Sequence, residues 1–356
     1  MKWLITGGCG FLGSSLIKQL ITEGGHKIRV VDNLTVGTRD DLAAAGGFTE
    51  LSPSELTAPS PSKVTSDLAD VFGQPSRMAS SSIREGWGEG ASVQLIVGDI
   101  LDESLALLVA NGAEVIVHFA ANTGVGPSVE NPRMDCVTNV IGTFNYLEAA
   151  RYNKVKRFVF ASSGAPVGEC EPPIHEEKVP HPVSPYGASK LAGEGYCSAY
   201  FRTFGIETVA LRFGNVYGPG SGHKNSVVAK FIKQALKGEA LEIYGDGSQT
   251  RDFIYIDDLI KAVQLAATTP NVGGEIFQIA TNAETTVSGL LDSMVSAFKE
   301  KEIAIPQVRY SEPRLGDVKR NYSDTTKAKA ILAWEPSITL IKGIGITLDA
   351  FLRAEK

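Results

Sequence analysis

Two residues four apart, Tyr186 and Lys190 in the segment SPYGASK, have the types and spacing that proton-transfer chemistry needs. On a helix this spacing puts both side chains on one face, so the lysine ammonium lies near the phenol. A nearby positive charge favours the phenolate and lowers the pKa of the tyrosine. A phenol with a lowered pKa can act as a general base near neutral pH, which is the role that this pair predicts.

Two hydroxyl residues, Ser162 and Ser163, follow the apolar stretch RFVFA, which has the character of a buried strand. The next segment, GAPVG at 164–168, contains no acidic residue. A reaction that expels a poor leaving group needs a proton donor close to that group. A site built on these serines is therefore expected to run reactions that need no neighbouring carboxylate.

A glycine-rich loop, TGGCGFLG, separates the first expected strand from the first expected helix. Gly7 permits a tight turn, Gly10 lets a pyrophosphate approach the backbone, and Gly13 lets the helix pack closely on the strand. Asp32 ends the second expected strand, where its carboxylate can accept from both ribose hydroxyls of an adenosine and would repel a 2′-phosphate. The pattern predicts a dinucleotide site that prefers NAD to NADP.

The elements that must position these residues alternate between short apolar runs and amphipathic stretches. Strands separated by helices, with nearly continuous apolar strands, predict a parallel sheet covered on both faces, which is a doubly wound α/β fold of the Rossmann type. The expected strands are 2–6, 27–32, 93–99, 114–120, 157–162 and 207–213, and the longer expected helices are 11–23, 134–152, 186–204 and one near 226–237.

The chain is expected to divide into two domains. An NAD-binding domain over 1–218, with 252–282 returning to it, precedes a smaller α/β substrate domain over 219–356. Residues 43–92 exceed what a strand–helix–strand step needs and are rich in Ser, Pro and Gly, which predicts a surface insertion. A lid or an oligomer contact is the alternative role for that segment.

The composition excludes several classes of protein. With 43% hydrophobic and 21% charged residues over 356 positions, the chain has an ordinary globular composition, and its formal net charge of -6 gives no electrostatic reason for nucleic acid as a partner. No signal peptide and no membrane-spanning apolar run is evident, so a cytoplasmic protein without membrane contact is expected. The four cysteines are widely spaced, which predicts reduced thiols and no metal site.

Taken together, the motifs resemble the extended short-chain dehydrogenases/reductases, and within them the NAD-dependent nucleotide-sugar epimerase/dehydratase family. The resemblance extends from Met1 to about residue 340 and implies a nucleotide-sugar substrate, for which a UDP-linked sugar is expected while the identity of the nucleotide stays open. It also implies a homodimer formed through helix 134–152 and the helix that begins at Tyr186. The blocks that carry the resemblance further along the chain are HFAA at 118–121, Asn139 in TNVIGT, LRFGNVYGPG at 211–220, YGDGSQTRDFIYIDDL at 244–259 and PRLGDV at 313–318.

The resemblance assigns roles to individual residues. Tyr186 would take a proton from a sugar hydroxyl, Ser163 would hydrogen-bond the same oxygen, and Lys190 would bind the nicotinamide ribose and lower the tyrosine pKa. The expected cofactor contacts are Gly7, Gly10, Phe11, Leu12, Gly13, Asp32, Asn33, Asp99, Ile100, Phe119, Ala120, Ala121, Tyr186 and Lys190. The expected substrate contacts are Thr123, Ser163, Asn215, Arg251, Arg314 and Asp317.

Among these substrate contacts, the arginines have an alternative interpretation. Guanidinium groups suit diphosphate oxygens, so Arg251 and Arg314 would clamp the phosphates and Asp317 would meet the nucleoside. Either arginine could instead be a surface residue in a salt bridge. Asn215 would hold the diphosphate sugar beyond a strand end.

The resemblance also separates possible reactions. Relatives that eliminate water have an Asp-Glu pair after the hydroxyl residue, and decarboxylases keep a glutamate, where this chain has Gly164 and Ala165. The expected activity is therefore 4-epimerisation through a transient 4-keto sugar. The alternatives are a UDP-glucuronate decarboxylase or 4,6-dehydratase, a reductase of a non-nucleotide alcohol, and a non-catalytic NAD-binding regulatory protein.

Two departures from the family pattern leave the sugar open. Val167 replaces a tyrosine, and Thr123 replaces a lysine that many galactose epimerases have. A UDP-hexose, a UDP-N-acetylhexosamine and a UDP-hexuronate all remain candidates. His223 and Lys224 are expected near the sugar pocket, where they would favour an anionic sugar, although a solvated loop is an equal alternative.

Overall fold

The computed structural model describes residues 1–56, 87, 93–223, 226–312 and 318–354. Eight strands form one sheet in which every neighbouring pair is parallel. They are β1 (Lys2–Thr6), β2 (Lys27–Asp32), β3 (Thr49–Glu50), β4 (Val93–Val97), β5 (Val115–His118), β6 (Arg157–Ser163), β7 (Glu207–Phe213) and β12 (Glu275–Ile279). Their order is β12-β7-β6-β5-β1-β2-β4-β3, which confirms the predicted doubly wound α/β fold.

Helices cover both faces of this sheet, and the strands supply apolar side chains to each side. In β1, Trp3 and Ile5 belong to one hydrophobic cluster and Leu4 to the other, as the alternation of side chains along a strand requires. The helices are α1 (Phe11–Glu23), α2 (Arg39–Ala45), α3 (Glu103–Val109), α4 (Val125–Glu130), α5 (Pro132–Cys136), α6 (Gly142–Tyr152), α7 (Pro185–Phe204), α8 (Val227–Leu236), α9 (Ile256–Thr268), α10 (Val287–Glu300), α11 (Thr326–Leu332) and α12 (Leu340–Ala354).

The direction in which strands are added to the sheet reverses between β1 and β5. Strands β2, β3 and β4 lie on one side of β1, whereas β5, β6, β7 and β12 lie on the other. In open parallel sheets such a reversal leaves a crevice at the carboxyl ends of the strands, where ligands bind. The glycine-rich loop follows the carboxyl end of β1, and Asp32 and Ser163 lie at the carboxyl ends of β2 and β6.

The helix predicted over 134–152 is interrupted. Residues Val137–Ile141, between α5 and α6, form a π-helical segment with Asn139 at its centre. The Asn139 carbonyl accepts a hydrogen bond from the Thr143 hydroxyl, four residues later, at 2.7 Å. Segments of this kind often occur at functional sites.

The C-terminal elements form three small sheets beside the large one. A hydrophobic cluster runs without interruption from β1 and α1 to α10 and α12. Strand β12 lies within the range 252–282 and pairs with β7, while the division into two domains at residue 218 stays a prediction. The two-stranded sheets pair β8 (Asn215–Tyr217) with β11 (Phe253–Tyr255), β9 (Leu241–Tyr244) with β14 (Val308–Ser311), and β10 (Thr250–Arg251) with β13 (Thr285–Thr286).

The predicted insertion over 43–92 lies partly outside the described residues. Its Trp87 is described, and its side chain is buried. The Trp87 indole donates to the Asn111 carbonyl at 2.9 Å, and the Arg29 guanidinium lies 4.1 Å from the centre of its ring. Asn111 precedes β5 and Arg29 lies in the first half of β2, so Trp87 packs near the amino ends of the strands. Among the helices described, none is both long and apolar enough to cross a bilayer.

Candidate active site

The glycine-rich loop between β1 and α1 has room for a ligand because its glycines lack side chains. Gly7 has a φ of +67°, and a Cβ there would lie 2.8 Å from the backbone nitrogen of Ala120. A Cβ on Gly13 would lie 2.4 Å from the carbonyl oxygen of Gly7. Gly10 precedes α1 and has one neighbouring atom near its Cβ position, the Gly7 oxygen at 3.3 Å. The loop therefore brings the helix N-terminus and bare backbone together as an anion cradle.

Asp32, at the carboxyl end of β2, ties this loop to the sheet. Its carboxylate accepts hydrogen bonds from the Cys9 and Leu34 backbone nitrogens, each at 2.9 Å. Burial raises the pKa of Asp32, and these two donors oppose that effect by stabilising the charged form. The carboxylate is held at the edge of the crevice, which is the position expected for a contact with the adenosine ribose.

The remaining residues predicted to contact the cofactor lie at neighbouring strand ends. The Asn33 amide donates to Asp99 at 3.1 Å, which links the segments after β2 and β4. The Ala120 nitrogen donates to the Thr6 hydroxyl at 3.2 Å, which links the segments after β5 and β1. This group is completed by Phe11, Leu12, Ile100, Phe119 and Ala121, all buried or partly buried. The cradle and the fixed Asp32 fit an NAD molecule.

Ser162 and Ser163 end β6 in different environments. The Ser162 hydroxyl donates to Glu194 at 2.5 Å, and Glu194 forms a buried two-bond ion pair with Arg212 at 2.8 and 2.7 Å. The Ser163 hydroxyl instead accepts from the Ala165 nitrogen at 3.2 Å and interacts with the Tyr186 phenol. The geometry thus leaves Ser163, and not Ser162, at the candidate site.

Tyr186 and Lys190 lie one turn apart at the start of α7, whose N-terminus is capped by the Ser184 hydroxyl. Lys190 is 3% exposed, and its ammonium donates to the Ala161 carbonyl at 2.9 Å. The ammonium lies 5.9 Å from the centre of the Tyr186 ring. The structure therefore brings Ser163, Tyr186 and Lys190 together where β6 and α7 meet.

The expected lowering of the tyrosine pKa is wrong, because burial outweighs it. Burial raises the pKa of Tyr186 to about 12, the Ser163 hydrogen bond lowers it, and the charge of Asp135 raises it further. Burial also lowers the pKa of Lys190 to about 8, although the carboxylates of Asp135 and Glu194 act in the opposite direction. The Lys190 ammonium donates to the Ala161 carbonyl and not to the phenol. Burial is therefore the main influence on the pKa of Tyr186.

Buried residues beneath the candidate site were not singled out from the sequence. His118 on β5 bonds to the Thr6 hydroxyl at 2.9 Å, and burial lowers its pKa to about 3, so its ring is neutral. Asp135 is fully buried on α5. Glu194 stands four residues after Lys190, the same spacing that drew attention to Tyr186, and that signal was available in the sequence.

On the expected substrate side, the described residues lie near the same edge of the sheet. Ser163 pairs with Phe213 across β6 and β7, and Asn215 follows two residues later with an exposed side chain. The Arg251 guanidinium donates to the Val318 carbonyl at 2.7 Å and to the Thr250 carbonyl at 2.6 Å. Thr123 is exposed in the loop after β5. Arg314 and Asp317 lie outside the described residues.

His223 does not support the expected anionic sugar pocket. Its Nε2 lies 3.5 Å from the Asp41 carboxylate on α2, the helix that follows the Asp32 strand end. A Cβ on Gly220 would lie 3.6 Å from the Phe11 ring, so this segment packs over the start of α1. His223 therefore lies beside the expected cofactor cradle, and Lys224 lies outside the described residues.

The loop after Ser163 has an unexpected neighbour. A Cβ on Gly164 would lie 3.5 Å from the side-chain nitrogen of Asn321 and 3.7 Å from its oxygen. The Val167 side chain is buried, whereas Gly164 and Ala165 are partly exposed. A neutral amide therefore faces this loop from the C-terminal part of the chain.

Comparison with known proteins is consistent with this geometry. Residues 3–280 match the family described as the NAD dependent epimerase/dehydratase family. A UDP-glucose 4-epimerase of Mycolicibacterium smegmatis is 32% identical over 356 residues, with 99% of this chain and 98% of that protein covered. A dTDP-glucose 4,6-dehydratase of Xanthomonas campestris is 30% identical over 369 residues, with 98% of this chain and 93% of that protein covered.

Two solved structures share the whole architecture. The UDP-glucose 4-epimerase of Thermotoga maritima, solved with UDP-glucose, matches with a TM-score of 0.80 at 32% identity over 100% of both chains. The UDP-glucuronic acid 4-epimerase of Bacillus cereus, solved with UDP-glucuronic acid and NAD, matches with a TM-score of 0.78 at 26% identity over 99% of this chain and 100% of that chain. The family match over most of the sequence agrees with the glycine cradle and the Ser163, Tyr186 and Lys190 cluster, and we conclude that this chain is an NAD-dependent enzyme that belongs to the NAD dependent epimerase/dehydratase family.

Proposed function

We propose that this enzyme interconverts the C4 epimers of a neutral UDP-hexose, the UDP-glucose and UDP-galactose pair, through a transient 4-keto sugar. The observation that carries the proposal is the meeting of Ser163, Tyr186 and Lys190 beside a loop, 164–168, that has no acid. Epimerisation at C4 loses neither water nor carbon dioxide. It therefore needs no further proton donor for a leaving group.

In this proposal the roles follow from the positions of the side chains. Tyr186 takes the proton of the C4 hydroxyl and returns it, and Ser163 hydrogen-bonds the same oxygen. NAD, when bound, supplies the acceptor and then the donor of the hydride, together with a positively charged ring. The raised pKa keeps the Tyr186 phenol protonated at neutral pH, while the Ser163 hydrogen bond lowers that pKa and so favours the phenolate that the forward step needs.

The cofactor would be held by the glycine cradle at its pyrophosphate and by Asp32 at its adenosine ribose. Lys190 would contact the nicotinamide ribose. On the substrate side, Asn215 and Arg251 would meet the diphosphate, since a guanidinium suits phosphate oxygens and both residues lie near the carboxyl edge of the sheet. Arg314 and Asp317 are proposed for the second phosphate contact and the nucleoside.

A neutral sugar is favoured by the side chains that face the loop. Residues 164–168 contain neither a cation nor a hydroxyl group that would bind a carboxylate, and Asn321 brings a neutral amide to Gly164. The His223 side chain, which was expected near an anionic sugar, lies 3.5 Å from the Asp41 carboxylate instead. We therefore favour the hexose over the hexuronate.

Loss of water is the alternative reaction, because one relative is named as a dTDP-glucose 4,6-dehydratase. Elimination needs a base for the C5 proton and an acid for the leaving hydroxyl, and the positions after Ser163 are Gly164 and Ala165. A non-catalytic NAD-binding role fits less well, since the tyrosine and lysine are both present and lie together.

The test is to incubate the purified enzyme separately with UDP-glucose, UDP-N-acetylglucosamine and UDP-glucuronate, then to record the product mass and the proton couplings at C4. We expect UDP-glucose to keep its mass and to gain the coupling of the C4 epimer, with slower or no change for UDP-glucuronate. Loss of water or of carbon dioxide from any of the three would contradict the proposal.

We also propose that the enzyme is a homodimer. Large apolar side chains are exposed along α5 and the π-helical segment, namely Met134 at 55% and Ile141 at 45%. Tyr196 and Phe204 on the adjacent α7 are exposed at 40% and 49%. Exposed large apolar side chains on adjacent helices are typical of an interface, and a two-fold axis would pair the two helices of each subunit with those of its partner.

A further inference from the structure

The carboxyl group of Asp135 lies inside the protein, although every other residue of its short helix α5 is exposed. Its Oδ1 accepts from the Asn139 amide at 3.0 Å, and the Ser189 hydroxyl is a further hydrogen-bond partner. Its Oδ2 is buried with no hydrogen-bond partner among the described residues. Burying a carboxyl group with one oxygen unpaired is costly unless a charge of opposite sign compensates it.

The groups that face Asp135 come mainly from α7. Its electrostatic partner is Lys190, whose pKa it raises, and it also raises the pKa of Tyr186. Glu194 and Cys197 act on Lys190 from the later turns of the same helix. His118 faces Lys190 from β5 and is neutral because burial lowers its pKa to about 3. Of the charges that act on Asp135, the positive one is therefore Lys190.

A chain of hydrogen bonds connects Asp135 to the turn that carries Tyr186. The Ser189 hydroxyl lies 3.1 Å from the Asn139 amide nitrogen and 3.1 Å from the Tyr186 carbonyl oxygen, and its single proton is available either to that carbonyl or to Asp135. Asn139 is anchored in turn by the backbone of Asn122 at 2.7 and 2.9 Å. The first turn of α7 is thus fixed from the side of α5.

We propose that Asp135 is a positioning residue of the active site, whose buried carboxylate balances the charge of Lys190 and whose hydrogen bonds through Asn139 and Ser189 hold the Tyr186 turn in place. The effect of Asp135 on catalysis rests on the proposed function, whereas its effect on the pKa values of Lys190 and Tyr186 does not. The role acts through other residues, because Asp135 is fully buried and its hydrogen-bond partners are Asn139 and Ser189.

The substitution Asp135→Asn tests the charge and keeps the shape, because the new amide oxygen can still accept from Asn139. Removing a negative charge stabilises the Tyr186 phenolate and destabilises the Lys190 ammonium, so both pKa values should fall by about one unit. The pH profile of kcat should move as a whole to lower pH. Ser189→Ala is the matched control, since it removes a hydrogen bond of the same network and leaves the charge in place.

The direct measurement is an ultraviolet titration of the Tyr186 phenolate in the cofactor-free protein, with the matching Tyr186→Phe protein as the blank. A lower phenolate pKa in D135N and an unchanged one in S189A would support the proposal. An unchanged phenolate pKa in folded D135N would overturn it. A shifted phenolate pKa in an enzyme that epimerises none of the three UDP-sugars would contradict the proposed function and leave the role of Asp135 standing.

The D135N protein could fail to fold because it leaves Lys190 buried without its counter-charge. In that case D135N/K190M, which removes both charges, should fold, and its Tyr186 phenolate pKa should lie about one unit below that of K190M. If D135N/K190M folds no better than D135N, the carboxylate does not balance Lys190 and the proposal is wrong.

Discussion

Ser162 and Ser163 are adjacent in the chain, yet Ser162 donates to the buried Glu194 carboxylate while Ser163 interacts with the Tyr186 phenol. Successive side chains of a strand point to opposite faces, so one serine of the pair must turn into the core. The buried Glu194 and Arg212 ion pair determines which one, because it needs a donor on that face. The two hydroxyls therefore have separable roles.

Alanine substitutions should separate those roles. Ser163→Ala should lower kcat about 10²-fold, because in the proposed mechanism it removes a hydrogen bond to the reacting oxygen. Ser162→Ala should lower the free energy of unfolding by about 1–3 kcal/mol, because it leaves the buried carboxylate short of a donor. Steady-state kinetics and urea unfolding of both variants provide the measurements. Equal losses of kcat in two equally stable variants would contradict the assignment.

Replacing Tyr186 by Phe should lower kcat by at least about 10²-fold while NAD affinity stays close to that of the parent protein. In the proposed mechanism the hydroxyl transfers the proton, whereas the glycine cradle and Asp32 would hold most of the cofactor. Titration calorimetry with NAD and a turnover assay test the two halves of this statement. Tyr196→Phe on the exposed part of α7 is the control and should keep its turnover.

Lys190 should be a source of instability at neutral pH. Its pKa falls from 10.5 to about 8 on folding, so the unfolded chain binds more protons between these pH values. The stability loss is therefore complete below about pH 8 and is relieved as the pH rises toward 10.5. Asp135→Asn combined with Lys190→Met, which removes both buried charges, should raise the free energy of unfolding at neutral pH by about 1–3 kcal/mol. Urea unfolding across this range should show the gain shrinking with pH, and a less stable variant would refute the argument.

His118 should contribute to acid sensitivity. Its pKa falls from the ordinary value of 6.5 to about 3 on folding, because burial opposes the imidazolium. Below about pH 6.5 the unfolded chain binds a proton on this histidine that the folded chain does not bind. The free energy of unfolding therefore falls as the pH falls, by at most about 1.4 kcal/mol per pH unit. His118→Gln should flatten this part of the stability profile, which urea unfolding at a series of acidic pH values would reveal. An unchanged slope would mean that other groups dominate.

Charges placed on the apolar surface of α5 and the π-helical segment should dissociate the proposed dimer. Met134→Glu and Ile141→Lys put charges where an apolar interface would exclude water. Light scattering after size-exclusion chromatography should report half the parent mass. Val179→Lys changes an apolar residue with 69% exposure on a different surface and should leave the mass unchanged. A parent protein that is already monomeric would refute the proposal.

Local sequence patterns predicted most of the framework. The alternating apolar runs predicted the parallel sheet, because strands buried on both faces need apolar residues at nearly every position. The spacing between Tyr186 and Lys190 predicted their common helix face, and the glycine loop predicted the cradle that Gly7 and Gly13 form. These features depend on residues close in the chain.

The errors concern effects that depend on distant residues. The sign of the Tyr186 pKa shift follows from burial by the surrounding fold and from Asp135, which is 51 residues earlier in the sequence. His223 pairs with Asp41 because the loop that carries it packs over α1, which its own sequence does not reveal. The π-helical segment likewise depends on Asn139 bonding to the separate backbone of Asn122.

The contact between Trp87 and Arg29 makes the molecule convenient to engineer. Trp87 and the start of β4 lie at the amino ends of the strands, whereas Asp32 and Ser163 lie at the carboxyl ends of theirs. A fluorescent reporter or an affinity module placed in the turn at Asn111 and Gly112, which contacts Trp87, would join the protein across the sheet from the carboxyl ends of the strands. An enzyme immobilised through this turn would present its crevice to the solution.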